Sequence, residues 1–303
     1  MSRIHDALKR AEQERATSTG THVEPVYEQP EVQPQFVEQA RESAAMPNMA
    51  STVSGLNNGL NSESMLSRCP LTEWKPDLKT MLFFGDDENR IGAEEFRTLR
   101  SRLYQIREKM ALKRLLVTSA LPKEGKSFVA ANLAQVLVRQ HGRRVLVIDA
   151  DLRNPGMHRH LGAPQTPGLS EYLLGEGDEF SVLQRGPMEN LFFLPAGRIV
   201  TSAPELLANG RLKHFLQRVE PLFDWIIIDT SPVIPVSDAT LVGGVCDGIL
   251  MVVRSAMTPA DMAKRAREEF PDKLLLGVVL NGAPSGKLAQ SKYYYGEAVS
   301  SPA

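Results

Sequence analysis

Apolar positions along this 303-residue chain change character near residue 70. Before that point only Ile4, Leu8 and Ala11 keep a helical i, i+4, i+7 spacing, behind Ser2 as an N-cap, which predicts a short amphipathic helix within residues 1–16. A helix that short is marginal alone, so it reads either as a docking segment or as a frayed terminus. Residues 17–79 read as a disordered linker: Pro, Glu, Gln, Ser and Asn dominate to about Arg68 without a sustained apolar period, and order returns near Pro70. Beyond it, Phe96, Leu99, Leu103 and Ile106 at helical spacing predict a helix over roughly 91–110. Short apolar runs at 114–118, 144–148, 191–194, 225–228, 248–253 and 274–280 then alternate with helical stretches near 126–140, 202–220, 237–244 and 259–270. Several runs are apolar at nearly every position, as strands covered on both faces must be. The predicted fold is therefore an α/β three-layer sandwich with a mostly parallel central sheet, spanning 80–288, followed by a tail over 289–303.

The first run leads into Ala120-Leu-Pro-Lys123-Glu124-Gly125-Lys126-Ser127-Phe128 at a strand-to-helix junction. That arrangement makes a phosphate cradle, and the fold a P-loop NTPase. Backbone N–H groups of Ala120, Lys123, Glu124, Gly125, Lys126, Ser127 and Phe128 surround the phosphates, Lys126 reaches their outer oxygens, and the Ser127 hydroxyl ligates Mg²⁺. Ala120 stands where the motif has its first glycine and tolerates positive φ less well.

Phosphoryl transfer also needs carboxylates for the metal and for the acceptor's proton. Two apolar runs end in them: Asp149-Ala-Asp151 after the second and Asp229 after the fourth. In a parallel sheet both ends emerge beside the phosphate loop. Asp149 and Asp229 are thus expected to join Ser127 at the metal, with Asp151 or Asp149 as proton acceptor and Lys126 completing the catalytic set. Arg153 reads either as a clamp on phosphate charge or as a salt-bridge partner of one of these aspartates. Asn281, after the last run, reads as an adenine contact or a turn residue before Gly282.

Composition narrows the function further. A net charge of −1 argues against a nucleic-acid partner. Two distant cysteines, Cys69 and Cys246, indicate neither a disulfide framework nor a zinc site and fit a reducing cytoplasm. No stretch approaches the roughly 20 apolar residues that span a bilayer, so the chain is expected to be soluble or peripheral. Three of its six tyrosines, Tyr293, Tyr294 and Tyr295, sit side by side among the last eleven residues, without an apolar pattern that would bury them. They read as accessible phenols that need a partner, or as a tail packed on the domain surface.

Taken together, the loop, the Asp149-Ala-Asp151-Leu-Arg-Asn-Pro segment and Ile-Ile-Asp229-Thr-Ser-Pro resemble the Walker A, A′ and B motifs of the bacterial tyrosine kinases, the BY-kinases, from about Asp87 onward. Glu94-Glu-Phe-Arg97-Thr-Leu-Arg100 is similar to their Glu-x-x-Arg-x-x-Arg oligomerisation motif, and the tyrosine triplet to a shortened form of their autophosphorylation cluster. The opening residues resemble those of stand-alone kinases from exosortase-linked exopolysaccharide loci. The resemblance implies an ATP- and Mg²⁺-dependent autokinase whose homo-oligomer forms through Glu94, Arg97 and Arg100. Each tail would be phosphorylated in trans, and cycling between ring and monomer would tune exopolysaccharide polymerisation or export. It also implies a separate membrane-spanning activator of the chain-length-determinant type, a phosphotyrosine phosphatase, and a cytoplasmic location at the inner face of the membrane. The partition and cell-division ATPases, the nearest alternative, carry a signature lysine at the loop's second position, where this chain has Leu121. A nucleotide-gated export regulator without phosphotransfer is the other, and Asp149, Asp151 and Asp229 argue against it.

Overall fold

A computed structural model describes residues 63–85, 91–270 and 275–283. The described residues form a seven-stranded sheet in the order β3-β4-β2-β5-β1-β6-β7. Its strands are β1 (Arg114–Ser119), β2 (Val145–Asp149), β3 (Gln184–Arg185), β4 (Leu191–Leu194), β5 (Trp225–Asp229), β6 (Gly248–Arg254) and β7 (Leu275–Asn281). All pairings are parallel except that of the two-residue β3 with β4. Each of the six apolar runs became a strand. β3 is too short and too polar to show an alternation.

Strand side chains alternate between two cores, which is why nearly every position is apolar. Leu116, Leu146, Ile148, Ile226 and Ile228 face one layer, with α5 (Ala203–Ala208), α6 (Arg211–Val219) and α7 (Asp238–Gly243). Leu115, Val117, Val145, Val147 and Ile227 face the other, with α1 (Ala93–Arg107) and α2 (Lys126–Val138). Full burial of such a side chain stabilises by about 1.5–3 kcal/mol, so one-residue slips of register are strongly disfavoured. The predicted helix at 202–220 is two helices, because Gly210 takes φ +83° between α5 and α6. Two further helices, α3 (Met157–Leu161) and α4 (Leu169–Leu174), are too short to register as a period, and α8 (Ala260–Glu268) completes the set.

The linker expected over 17–79 is corrected at its end. Residues 63–79 pack on the domain, burying Leu66, Cys69 and Trp74 to 5% exposure or less. Pro70 O accepts from Arg185 N–H and Thr72 N–H donates to Arg185 O, both at 2.9 Å, so the segment lies along β3. Trp74 meets Phe193 edge-on at 6.0 Å. Composition hid this segment because its anchors are single residues spread over one short helical turn at 63–66 and irregular backbone beyond it. Further along, Asn132 Oδ1 and Gln135 Oε1 of α2 accept from Leu82 N–H (2.8 Å) and Phe83 N–H (3.2 Å). Two buried polar side chains of a largely buried helix thereby satisfy backbone N–H groups of the turns that strap across it. The helix predicted within 1–16 and the tyrosine tail lie outside the described residues.

Candidate active site

β1 ends at Ser119, the loop turns, and α2 starts at Lys126 behind Gly125, whose φ is +93°. Lys123 is also left-handed, at +67°, whereas Ala120 is buried and has no positive φ. The alanine therefore carries no backbone strain where a glycine was expected.

β5 lies between β1 and β2, and this order creates the acidic cluster. Asp149 and Asp229 are direct partners across β2 and β5, and Asp229 pairs with Val117 across β5 and β1. Lys126 Nζ sits 2.9 Å from Asp151 Oδ2, 3.9 Å from Asp229 Oδ1 and 3.4 Å from Ser127 Oγ. Lys126, Ser127, Asp149, Asp151 and Asp229 thus form one cluster at the carboxyl ends of neighbouring strands, where sites form in an open α/β sheet.

The three aspartates differ in what holds them. Asp149 Oδ1 accepts from Asp151 N–H (3.1 Å), and its Oδ2 accepts from Gly156 N–H (3.2 Å) and Met157 N–H (3.1 Å) at the start of α3. Its oxygens therefore shape the loop after β2. Asp151 Oδ1 accepts from Asn154 N–H (3.1 Å), and its Oδ2 takes Lys126. Asp229 is fully buried and takes no backbone N–H from the described residues; its neighbours are the Lys126 ammonium and the Ser127 hydroxyl, which lies at the limit of hydrogen-bond reach. Burial raises Asp149 and Asp229 above the usual carboxylate range, with the Lys126 ammonium opposing it. For Lys126, burial pulls downward, but Asp229 and Asp151 outweigh it and leave the amine raised and cationic.

The side chains of other expected site residues make the following contacts. Glu124, 3% exposed, turns its carboxylate into the protein, where it accepts from Leu121 N–H (2.7 Å) and from the Thr258 hydroxyl. The Phe128 ring packs edge-on against Phe96 of α1, 5.9 Å between centroids. Arg153 forms a salt bridge, but with Asp238 rather than with Asp149, Asp151 or Asp229; the contacts are 2.8 and 3.3 Å. Asn281 Nδ2 donates to Glu124 O at 2.9 Å, so it reaches the phosphate loop itself. Asp238 and Thr258 were not singled out from the sequence. Ser237-Asp238 carried only the signal of a helix start, and Thr258 carried none. On α1, Glu94 pairs with Arg97 one turn later, while Arg100 Nη1 donates to Val136 O (3.0 Å) at the end of α2.

A family model described as AAA domain matches residues 124–258, from the phosphate loop past β6. The chain is similar to tyrosine-protein kinase YwqD of Bacillus subtilis (strain 168), 34% identical over 206 residues that cover 67% of this chain and 86% of that protein. The chain belongs to the bacterial tyrosine-kinase family. It is also similar to the kinase domain of the Escherichia coli tyrosine kinase ETK, with a TM-score of 0.63 and 30% identity over 70% of this chain and 81% of that one. Succinoglycan biosynthesis transport protein ExoP of Rhizobium meliloti (strain 1021) is 32% identical over 203 residues, 65% of this chain but only 26% of ExoP. This kinase therefore spans about a quarter of ExoP's length and most of YwqD's. Among its described residues no helix is long and apolar enough to cross a membrane.

Proposed function

We propose that this kinase transfers the γ-phosphoryl group of ATP to tyrosines in the tail of a neighbouring copy, and that it regulates exopolysaccharide polymerisation or export. The observation that carries this reading is the Asp229 carboxylate, fully buried, taking no backbone N–H from the described residues, and facing Lys126 and the Ser127 hydroxyl at the start of α2. One ammonium shared among three carboxylates leaves this buried cluster with excess negative charge, which favours a further cation. Asp229 and the Ser127 hydroxyl fit Mg²⁺, and Asp149, its oxygens engaged by backbone N–H groups, fits less directly. When bound, the metal neutralises charge developing on the transferred phosphoryl group. Lys126 leaves Asp151 to reach the phosphates, which frees Asp151 Oδ2 to take the tyrosyl proton. Asp149 holds the loop that presents Asp151.

Tyr293, Tyr294 and Tyr295 are the proposed acceptors, and each phosphate adds about −1.5 to −2 charge, enough to expel a docked tail. Glu94, Arg97 and Arg100 are proposed to join subunits. A separate membrane-spanning activator would bring the kinase to the inner face of the membrane, and a phosphotyrosine phosphatase would reset it. The name of ExoP supports the polysaccharide role.

The test is incubation with radiolabelled ATP and Mg²⁺ followed by phosphotyrosine detection. The unaltered chain is expected to incorporate label, while Lys126→Met and a variant with all three tail tyrosines changed to Phe are expected to lose it. Equal labelling of Lys126→Met would refute the assignment.

A further inference from the structure

The phosphate loop is held from outside by residues of the far sheet edge, through a closed circuit of hydrogen bonds. One Glu124 oxygen accepts from Leu121 N–H at 2.7 Å, and the other accepts from the Thr258 hydroxyl. That hydroxyl in turn accepts from Arg254 N–H at 3.1 Å, where β6 ends. Ser255 N–H in the same turn donates to Asn281 O at 2.9 Å. Asn281 Nδ2 then returns to Glu124 O at 2.9 Å. The approach is so close that a Cβ on Gly125 would lie 2.1 Å from Asn281 Nδ2, so position 125 needs glycine for space as well as for its φ. Thr258 lies 134 residues from Glu124 in the chain, and Asn281 lies 157 away.

Two physical consequences follow. A loop that binds phosphate through backbone N–H groups must hold them in place before the ligand arrives, because ordering them on binding weakens affinity. Glu124 also puts a carboxylate into the loop that receives a triphosphate, and holding it turned inward on two donors keeps its charge away from the ligand and lessens the repulsion. Thr258 is one of those donors. It touches neither Lys126 nor the aspartates in any described hydrogen bond, and acts on the loop through Glu124.

We propose that Thr258 is a positioning residue for nucleotide binding, with Asn281 as the second point of the same clamp. The proposal rests on the nucleotide-site reading above. Full-length protein is titrated with a fluorescent ATP analogue in Mg²⁺, and KM and kcat for ATP are measured in parallel. Thr258→Val keeps the shape but removes the hydroxyl, and is expected to weaken binding and raise KM about tenfold, with kcat within about twofold. Thr258→Ser restores the hydroxyl and should return KM to within about twofold of the unaltered chain, which a purely packing role would not produce. Glu124→Ala should weaken binding at least as much, and adding Thr258→Val to it should change affinity less than twofold further, because the clamp acts through that carboxylate. Should Thr258→Val fail to fold, Asn281→Ala carries the same expected rise in KM. An unaltered chain that binds no analogue overturns the nucleotide-site reading and this proposal together. Binding by the unaltered chain that Thr258→Val or Asn281→Ala leaves within twofold, or losses that multiply in the double variant, overturns the positioning role alone.

Discussion

Arg153→Met is expected to destabilise the nucleotide-free kinase far more than Asp238→Asn, although the two residues form one salt bridge. Arg153 Nε and Nη2 lie 2.8 and 3.3 Å from the two Asp238 oxygens, joining the loops that follow β2 and β5. The partners are unequally buried: the Asp238 side chain is 0% exposed and that of Arg153 is 37% exposed. Removing the arginine strands a carboxylate out of water, and breaking a buried pair in this way costs about 3–5 kcal/mol. Asp238 lies in the first turn of α7, where the helix dipole returns about 0.3–1 kcal/mol, so roughly 3 kcal/mol is expected. Removing the carboxylate's charge instead leaves a guanidinium already partly in water, and such pairs are worth about 0.2–1 kcal/mol. Urea unfolding followed by tryptophan emission suits the measurement, since Trp74 and Trp225 are both buried. The double variant should be more stable than Arg153→Met alone, because the stranded charge is gone. Equal losses from the two single changes, or a double variant as damaged as their sum, would refute the reasoning.

Asp229→Asn is expected to stabilise the protein without nucleotide. Burial raises the folded carboxyl above its unfolded value, so this group's contribution to stability falls as pH rises from the ordinary carboxylate range through the raised folded value. The gain should be on the order of 2 kcal/mol at pH 8 and smaller at pH 5, while Mg²⁺-dependent analogue binding is lost. A gain that does not depend on pH in urea titrations would contradict it. Trp74→Ala should cost about 3–5 kcal/mol, read by thermal unfolding; a loss under about 1 kcal/mol would mean that residues 63–79 do not pack as described. Arg97→Ala with Arg100→Ala should lower oligomer mass by light scattering and, through the lost bond to Val136 O, reduce stability by about 1 kcal/mol. Unchanged mass would remove these residues from the interface.

The strands and the acidic cluster were legible because both follow from local pattern. A run such as Val145-Leu-Val-Ile-Asp149 is apolar on both faces and ends in charge, and parallel pairing then aligns that end with Asp229. What stayed hidden depends on contacts remote in sequence. Glu124 was read only for its backbone N–H in the phosphate loop, and nothing within 100 residues of it announces the side-chain partner Thr258. A salt bridge was among the readings of Arg153, but its partner Asp238 is 85 residues away behind a helix start. Asp149 and Asp229 were both read as metal-holding strand-end carboxylates, with Asp149 also a candidate proton acceptor, and the loop-shaping role of Asp149 was not read. They differ only because the backbone at Gly156 and Met157 curls back to one and not to the other.

The segment 63–79, anchored by Trp74, bears on where this folding unit begins. A shortened version starting at residue 80 would strip away the indole that lies over Gly186 and beside Phe193, and would open a greasy hollow on that flank. It would keep every phosphate-loop residue and still be a poorer enzyme to handle, prone to clumping. A truncation meant to keep this flank covered should therefore begin upstream of Leu66.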